Sequence, residues 1–235
     1  MVGAPKMLTF RYLDKLEPYN SIGKRLRMLN LVKKAIDDTV LFQLIQKLDS
    51  VKELILHSCR YLSNIKISSS TLEVCSIVYC GLLVEATFNV PKLLSLALSE
   101  QYRLPRLSFE SVSSQCRISI NYDYIWHNGE QLIHFRRSLI ELNDQVVDLT
   151  LPRICQGLRP ATGIDHLPTP EIENLILRYS AYTPTDTYSS CDDIFWVCWP
   201  KNLTVEYKVP TSKIVEEQVP WETYQIYLER VSHEC

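Results

Sequence analysis

Val51-Lys-Glu-Leu54-Ile-Leu56-His-Ser-Cys59 returns 21 residues later as Leu72-Glu-Val-Cys75-Ser-Ile77-Val-Tyr-Cys80, and again as Leu93, Leu96, Leu98 and Gln101. Further columns keep the same step: Leu62, Leu83 and Leu104; Ile65, Ala86 and Leu107; Ile67, Phe88 and Phe109. Chance does not hold so many columns in register over three copies. A fixed period in the range of about 20–50 residues marks an array in which each unit buries its apolar face only against its neighbours.

Each copy divides again. Val51 to Cys59 fits the leucine-rich-repeat strand pattern L-x-x-L-x-L-x-x-[NC], and so does Leu72 to Cys80. The half-copies Leu62-Ser-Asn-Ile65-Lys-Ile67 and Leu83-Val-Glu-Ala86-Thr-Phe88 carry the same core. A strand every 10–11 residues leaves no room for a helix. Each 21-residue turn is therefore predicted to be a flattened coil with one strand on each long side. Side chains alternate along a strand, so Leu54 and Leu56, or Ile65 and Ile67, point between two parallel sheets and the residues between them point out. The fold class expected is α/β: a leucine-rich-repeat-like solenoid with a strand-only, two-sheet middle and short outer helices in the flanking turns.

Working outward, Met7-Leu-Thr-Phe10-Arg-Tyr12 is a degraded first strand and Leu26-Arg-Met-Leu29-Asn-Leu31 a clean one. Asp37-Asp38 precedes apolar residues at Val40, Leu41, Leu44, Ile45 and Leu48, the pattern of a capped amphipathic helix. Ile118 and Ile120 continue the main column. Glu130 to Asn143 reads as a second helix. Val146 to Leu151, Ile172 to Leu177 and Leu203 to Val205 are further strands, with a Pro- and Gly-bearing loop over Pro152 to Pro170. Ser190-Cys-Asp-Asp193 is placed to cap a short helix through Cys198. Trp221, Tyr224, Tyr227, Leu228 and Val231 suit a terminal amphipathic helix. A single array results: first turns over 1–50, regular 21-residue turns over 51–120, longer helix-containing turns over 121–210 and a C-terminal cap over 211–235.

Composition bounds the function. The chain has 235 residues, of which 46% are apolar, and a net charge of -2. Residues 1–50 hold 9 basic and 5 acidic residues, and residues 110–235 hold 10 and 18. This asymmetry is too mild for a nucleic-acid-binding face, which needs basic residues interleaved with stacking aromatics. No run reaches the 18 or more apolar residues of a membrane helix, and Met1-Val-Gly-Ala-Pro-Lys has no secretory pattern. The expected location is cytoplasmic or nuclear, without membrane association. Lys24-Arg25-Leu-Arg27 and Lys33-Lys34 are read as a basic rim in preference to an import signal. The eight cysteines are then thiols, several of them at core columns. Cys75 and Cys80, or Cys191 and Cys198, match no zinc spacing, and His127 and His134 are read as one solvated helix face. No nucleophile elbow, phosphate loop or zinc-protease motif occurs, so neither catalysis, nor a cofactor, nor a metal is expected. Asn202-Leu-Thr204 is a glycosylation sequon on a predicted strand, and is read as chance.

What remains is the outward row of strand positions. Its candidate partner-binding residues are Glu53, Ile55, His57, Glu73, Ser76, Val78, Tyr79 and Ala97, flanked by Lys52, Val74, Ser95 and Ser99. They are expected on one sheet face, the usual binding surface of such arrays. Ile55, Val78 and Tyr79 would be its apolar, aromatic centre.

Leu54-Ile-Leu-His-Ser-Cys59-Arg-Tyr-Leu62-Ser-Asn-Ile65-Lys-Ile67 and Cys80-Gly-Leu-Leu-Val-Glu85-Ala86-Thr-Phe88-Asn-Val-Pro91-Lys-Leu93 resemble the repeats of plant F-box/leucine-rich-repeat proteins of the FBD type. Asp193-Ile-Phe195-Trp196-Val-Cys198-Trp-Pro200-Lys201-Asn-Leu203-Thr204 resembles that family's helix, Trp, Cys, Pro-Lys, strand segment. Tyr224 to Val231 resembles its tail, with Tyr224 where Trp is usual. The resemblance spans roughly Leu26 to Val231. It implies a module that selects a protein substrate for a cullin ubiquitin ligase without doing chemistry itself. Met1 to Ser50 does not resemble the F-box that docks on the Skp-type adaptor. Adaptor binding is therefore expected only in a longer form, and the alternative is a free-standing or truncated repeat protein that binds its partner independently of a ligase.

Overall fold

The computed structural model describes residues 6–10, 26–32, 35–99, 104–122, 129–142, 145–152, 169–180, 196–208 and 214–219. It is α/β, with mostly parallel strands and, among the described residues, two helices of more than one turn. The chain forms two compact units, Met1–Ser119 and Ile120–Cys235.

In the N-terminal unit the strands are β1 (Lys6–Phe10), β2 (Leu26–Val32), β3 (Glu53–His57), β4 (Asn64–Ser68), β5 (Val74–Val78), β6 (Glu85–Val90), β7 (Ser95–Ser99) and β8 (Arg106–Val112). β9 (Arg117–Asn121) carries the boundary to the second unit. One sheet runs β1, β2, β3, β5, β7, and a second runs β4, β6, β8. Leu54 pairs with Cys75 and Cys75 with Leu96, so the parallel register repeats the 21-residue step of the sequence. The second sheet keeps the same step, Ile65 to Ala86 to Leu107. Among the described residues no helix interrupts β3 to β8.

The alternation is strict where the strands are short. Leu54, Leu56, Ile65, Ile67, Cys75, Ile77, Ala86, Phe88, Leu96 and Leu98 are buried between the sheets. Each large apolar side chain of this kind contributes roughly 1.5–3 kcal/mol. After β3 and β5 the chain must turn inward at once. Ser58 (φ 56°) and Tyr79 (φ 54°), which are 21 residues apart, do this in the left-handed region. A left-handed residue other than glycine costs about 1–2 kcal/mol. The residues that follow, Cys59 and Cys80, then drop into the core. Their thiols donate to the preceding strand's carbonyls, Leu31 O at 3.5 Å and Leu56 O at 3.7 Å.

Corner amides also form ladders. Glu73 N and Val74 N donate to Lys52 O, and Leu94 N and Ser95 N to Glu73 O. On the other side Val84 N and Glu85 N donate to Ser63 O, and Arg106 N to Val84 O. The first corner of that side, Ser63 and Asn64, has no earlier strand among the described residues to supply a carbonyl. The helix α1 (Asp38–Lys47) supplies an acceptor instead. Asp38 takes Ser63 N on Oδ1 and Asn64 N and Ser63 Oγ on Oδ2, all at 2.9 Å. Its neighbour Asp37 is the N-cap, accepting from Val40 N at 2.8 Å. Two adjacent aspartates thus serve two different elements. Leu41, Leu44 and Ile45 bury the inner face of α1 as the spacing predicts.

In the C-terminal unit, α2 (Gly129–Leu142) buries Leu132, Phe135, Leu139 and Leu142. β10 (Val146–Pro152), β11 (Glu171–Ser180) and β12 (Trp199–Lys208) are parallel, and β13 (Ile214–Val219) closes antiparallel on β12. The steps lengthen here: Leu149 pairs with Leu175 and Leu175 with Leu203. β13 has no counterpart in the sequence reading. Trp196 and Val197 are helical, and Trp196 lies under the buried Arg136, whose guanidinium carbon is 4.4 Å from the ring centroid. The predicted loop over 153–168, the capping segment 190–193 and the tail helix lie outside the described residues, as do Lys24, Arg25, Lys33, Lys34, His127 and Cys191.

Candidate functional site

The outward residues of the first sheet fall into three rows. Met28, Glu53, Val74 and Ser95 are in register, as are Asn30, Ile55, Ser76 and Ala97. Val32, His57, Val78 and Ser99 form the third row. All are half-buried. The structure brings six of the eight sequence-predicted residues onto these rows: Glu53, Ile55 and His57 on β3, Ser76 and Val78 on β5, and Ala97 on β7. The other two sit just beyond β5. Glu73 lies one residue before it and Tyr79 one residue after it. Glu73 is therefore not in Glu53's row. Its register mate is Lys52, with which it forms an ion pair at the rim.

Tyr79 is 47% exposed at its left-handed corner. Its ring meets that of His57 edge-on, with centroids 5.6 Å apart and an angle of 70°. Ser58 Oγ lies 3.1 Å from His57 Nδ1 and fixes the imidazole from the other side. The C-terminal end of the face is thus aromatic, while its N-terminal rim carries Lys52, Glu53 and Glu73. Sequence reasoning missed Asn30 and Val32 on this face. The signal was there, because Leu26 to Leu31 fits the same template.

The described cysteines are buried in the core, away from the outward rows. Cys59, Cys75, Cys80, Cys116 and Cys198 are free thiols inside the fold. Burial, assisted by nearby Cys116, pushes the Cys75 thiol up to about 12. A hydrogen bond with Cys59 and then burial raise Cys80, and burial alone raises Cys116 and Cys198. A thiol held neutral is a poor nucleophile and a poor metal ligand. Among the described residues no three His, Cys, Asp or Glu side chains gather as a metal site. Under α1, Leu29, Ile45, Leu48, Val51, Leu54, Ser69 and Leu72 line a void of about 10 Å³, room for one water at most. No described helix is long and apolar enough to cross a membrane.

The C-terminal unit carries a different surface. Asp148, Asn174 and Asn202 are in register on β10, β11 and β12. Asn174 Nδ2 donates to Asp148 Oδ1 at 2.8 Å, and Asn202 Nδ2 to Asn174 Oδ1 at 3.0 Å. Asn202 Nδ2 also reaches Glu173 O at 3.2 Å, so the sequon amide is held in the sheet. Arg178 bonds Glu206 at 2.8 Å and Asn121 Oδ1 at 3.2 Å. No family model, curated protein or solved structure matches the chain.

Proposed function

We propose that this chain is a leucine-rich-repeat-like solenoid that binds a protein partner across the β2–β3–β5–β7 face and does no chemistry. One observation carries the reading. Outward side chains of four parallel strands stand in unbroken register and end on an exposed Tyr79 ring braced by His57. Apolar residues around a rigid aromatic, with charge confined to the rim, is the composition favoured at interface centres. Holding a bulky tyrosine at positive φ costs stability, and backbone strain of this kind gathers where a side chain must be aimed. By its resemblance to the F-box/leucine-rich-repeat proteins, the module presents a substrate to a cullin ubiquitin ligase. The second reading is a binder that works without a ligase, since the register-matched face can hold a partner whether or not an adaptor is attached.

Affinity capture from the native cells, with wild type beside Ile55→Ala/Tyr79→Ala, tests both. The face reading expects a partner held by wild type and reduced about tenfold or more by the double variant, at an unchanged melting transition. Full retention by the double variant would overturn it. Stoichiometric Skp-type adaptor and cullin in the wild-type eluate support the ligase reading, and a partner recovered without them supports the ligase-free one.

A further inference from the structure

We propose that β8 is a self-association edge, at which two copies of this chain pair their strands antiparallel about Ser108. β8 ends the second sheet, and no described strand lies beyond it. Unlike β4 and β6, it has no buried residue: all seven positions of Arg106–Val112 are exposed or half-buried. Leu107 and Phe109 are half-buried, while their column mates Ile65, Ala86, Ile67 and Phe88 are at most 1% exposed. Phe109 stacks on Phe88 at 5.7 Å and has no such cover on its other side among the described residues.

The occupant follows from the strand's own sequence. Arg106-Leu-Ser-Phe-Glu110 is complementary to itself when read backwards. Two copies paired antiparallel about Ser108 set Arg106 opposite the partner's Glu110 and Leu107 opposite the partner's Phe109. The Ser108 side chains then face each other. Directly opposed residues lie on the same sheet face. The charges therefore meet on the outer face, and the apolar pair extends the core. An exposed strand edge is normally blunted by charge and by bulges. β8 has both, since its register slips after Phe88 so that Glu110 is the extra residue. Here the two charges have opposite sign and symmetric placement, so they repel a strand of other pattern and accept a copy. Glu110 already bonds Lys66 at 2.8 Å across the sheet, which holds its carboxylate on the outer face. The opposite edge, β4, is covered by α1 through Asp38. Pairing at β8 alone forms a closed two-fold dimer, not a filament.

Sedimentation velocity of the full chain over a dilution series is the test, with wild type, Arg106→Glu, Glu110→Arg and the double swap. Wild type is expected to dimerise reversibly. Each single variant sets like charges opposite twice per dimer and weakens association about tenfold or more. The double swap restores the opposed pairs, and with them dimerisation. Glu110→Arg also loses the Lys66 contact, so restoration in the double variant separates pairing from that loss. A wild type that stays monomeric throughout, single variants that dimerise like wild type, or a double variant as weak as the singles would each overturn the proposal.

Discussion

Each of the two units builds its outer rows on a parallel ladder, and the rows are finished differently. In the C-terminal unit, Asp148, Asn174 and Asn202 spend their polar groups on one another, and Arg178 does the same with Glu206 and Asn121. In the N-terminal unit the same template positions carry Met28, Glu53, Val74 and Ser95 in one row and Val32, His57, Val78 and Ser99 in the other, and Ile55, Ala97 and Tyr79 beside them offer apolar surface. A row that satisfies itself contributes to stability and has little left to give a partner. A row of half-buried apolar groups contributes less to stability and gains on being covered. On the binding reading proposed above, one face serves stability and the other recognition.

The largest expected effect removes the ladder on which this contrast depends. Leu54 is 1% exposed between the sheets of the N-terminal unit. Leu54→Asp buries an unpaired charge there and costs on the order of 5 kcal/mol, enough to abolish that unit's cooperative melting transition. A melting curve like that of wild type would refute the register. Asp38→Ala comes next. It removes the shared acceptor of the Ser63 and Asn64 amides and the Ser63 hydroxyl, at a cost of about 2–3 kcal/mol in denaturant titration. Asp38→Asn should recover part of it.

Alkali gives an effect of similar size. The Cys75 thiol has its pKa raised from 9.0 to about 12 in the fold, so the folded state prefers the protonated form. Its stabilising contribution is complete below pH 9 and falls away as pH rises toward 12. Between pH 9 and 10.5 wild type should lose about 2 kcal/mol more than Cys75→Val, because each pH unit in this window is worth about 1.4 kcal/mol. Equal slopes in the two proteins would contradict the raised pKa. The smallest effect sharpens the comparison directly. Asn174→Ala should destabilise by about 1–2 kcal/mol, because it breaks the C-terminal ladder at its centre. Ser76→Ala, in the middle of the N-terminal face, should change stability by less than about 0.5 kcal/mol. Equal costs in thermal melts would erase the distinction between the faces.

Most of the ladder was legible because its signal repeats. Seven columns at one spacing locate β3 to β8 and their inward residues, and the same template finds β2, β10, β11 and β12. Features that occur once, or that depend on backbone angle, were not legible. Neither Ser58 nor Tyr79 is a glycine, so nothing in the letters announces a left-handed corner. Two neighbouring aspartates before a helix both read as caps, yet only Asp37 is one, because Asp38's partners lie 25 and 26 residues downstream. The candidate face was legible to within one residue at its ends. Side-chain alternation breaks where a strand begins, which is how Glu73 was grouped with Glu53 although it pairs with Lys52.

The 21-residue step also has a kinetic side. Parallel sheets usually form slowly, because partner strands lie far apart along the chain and long loops must close first. Here Leu54, Cys75 and Leu96 meet across gaps of only 21 residues, so the loop that must close for each parallel pairing is short. Each turn can zip onto its predecessor without waiting for distant parts of the chain. Refolding of the N-terminal unit should therefore be fast for a parallel-sheet protein and should begin from whichever pair of turns meets first.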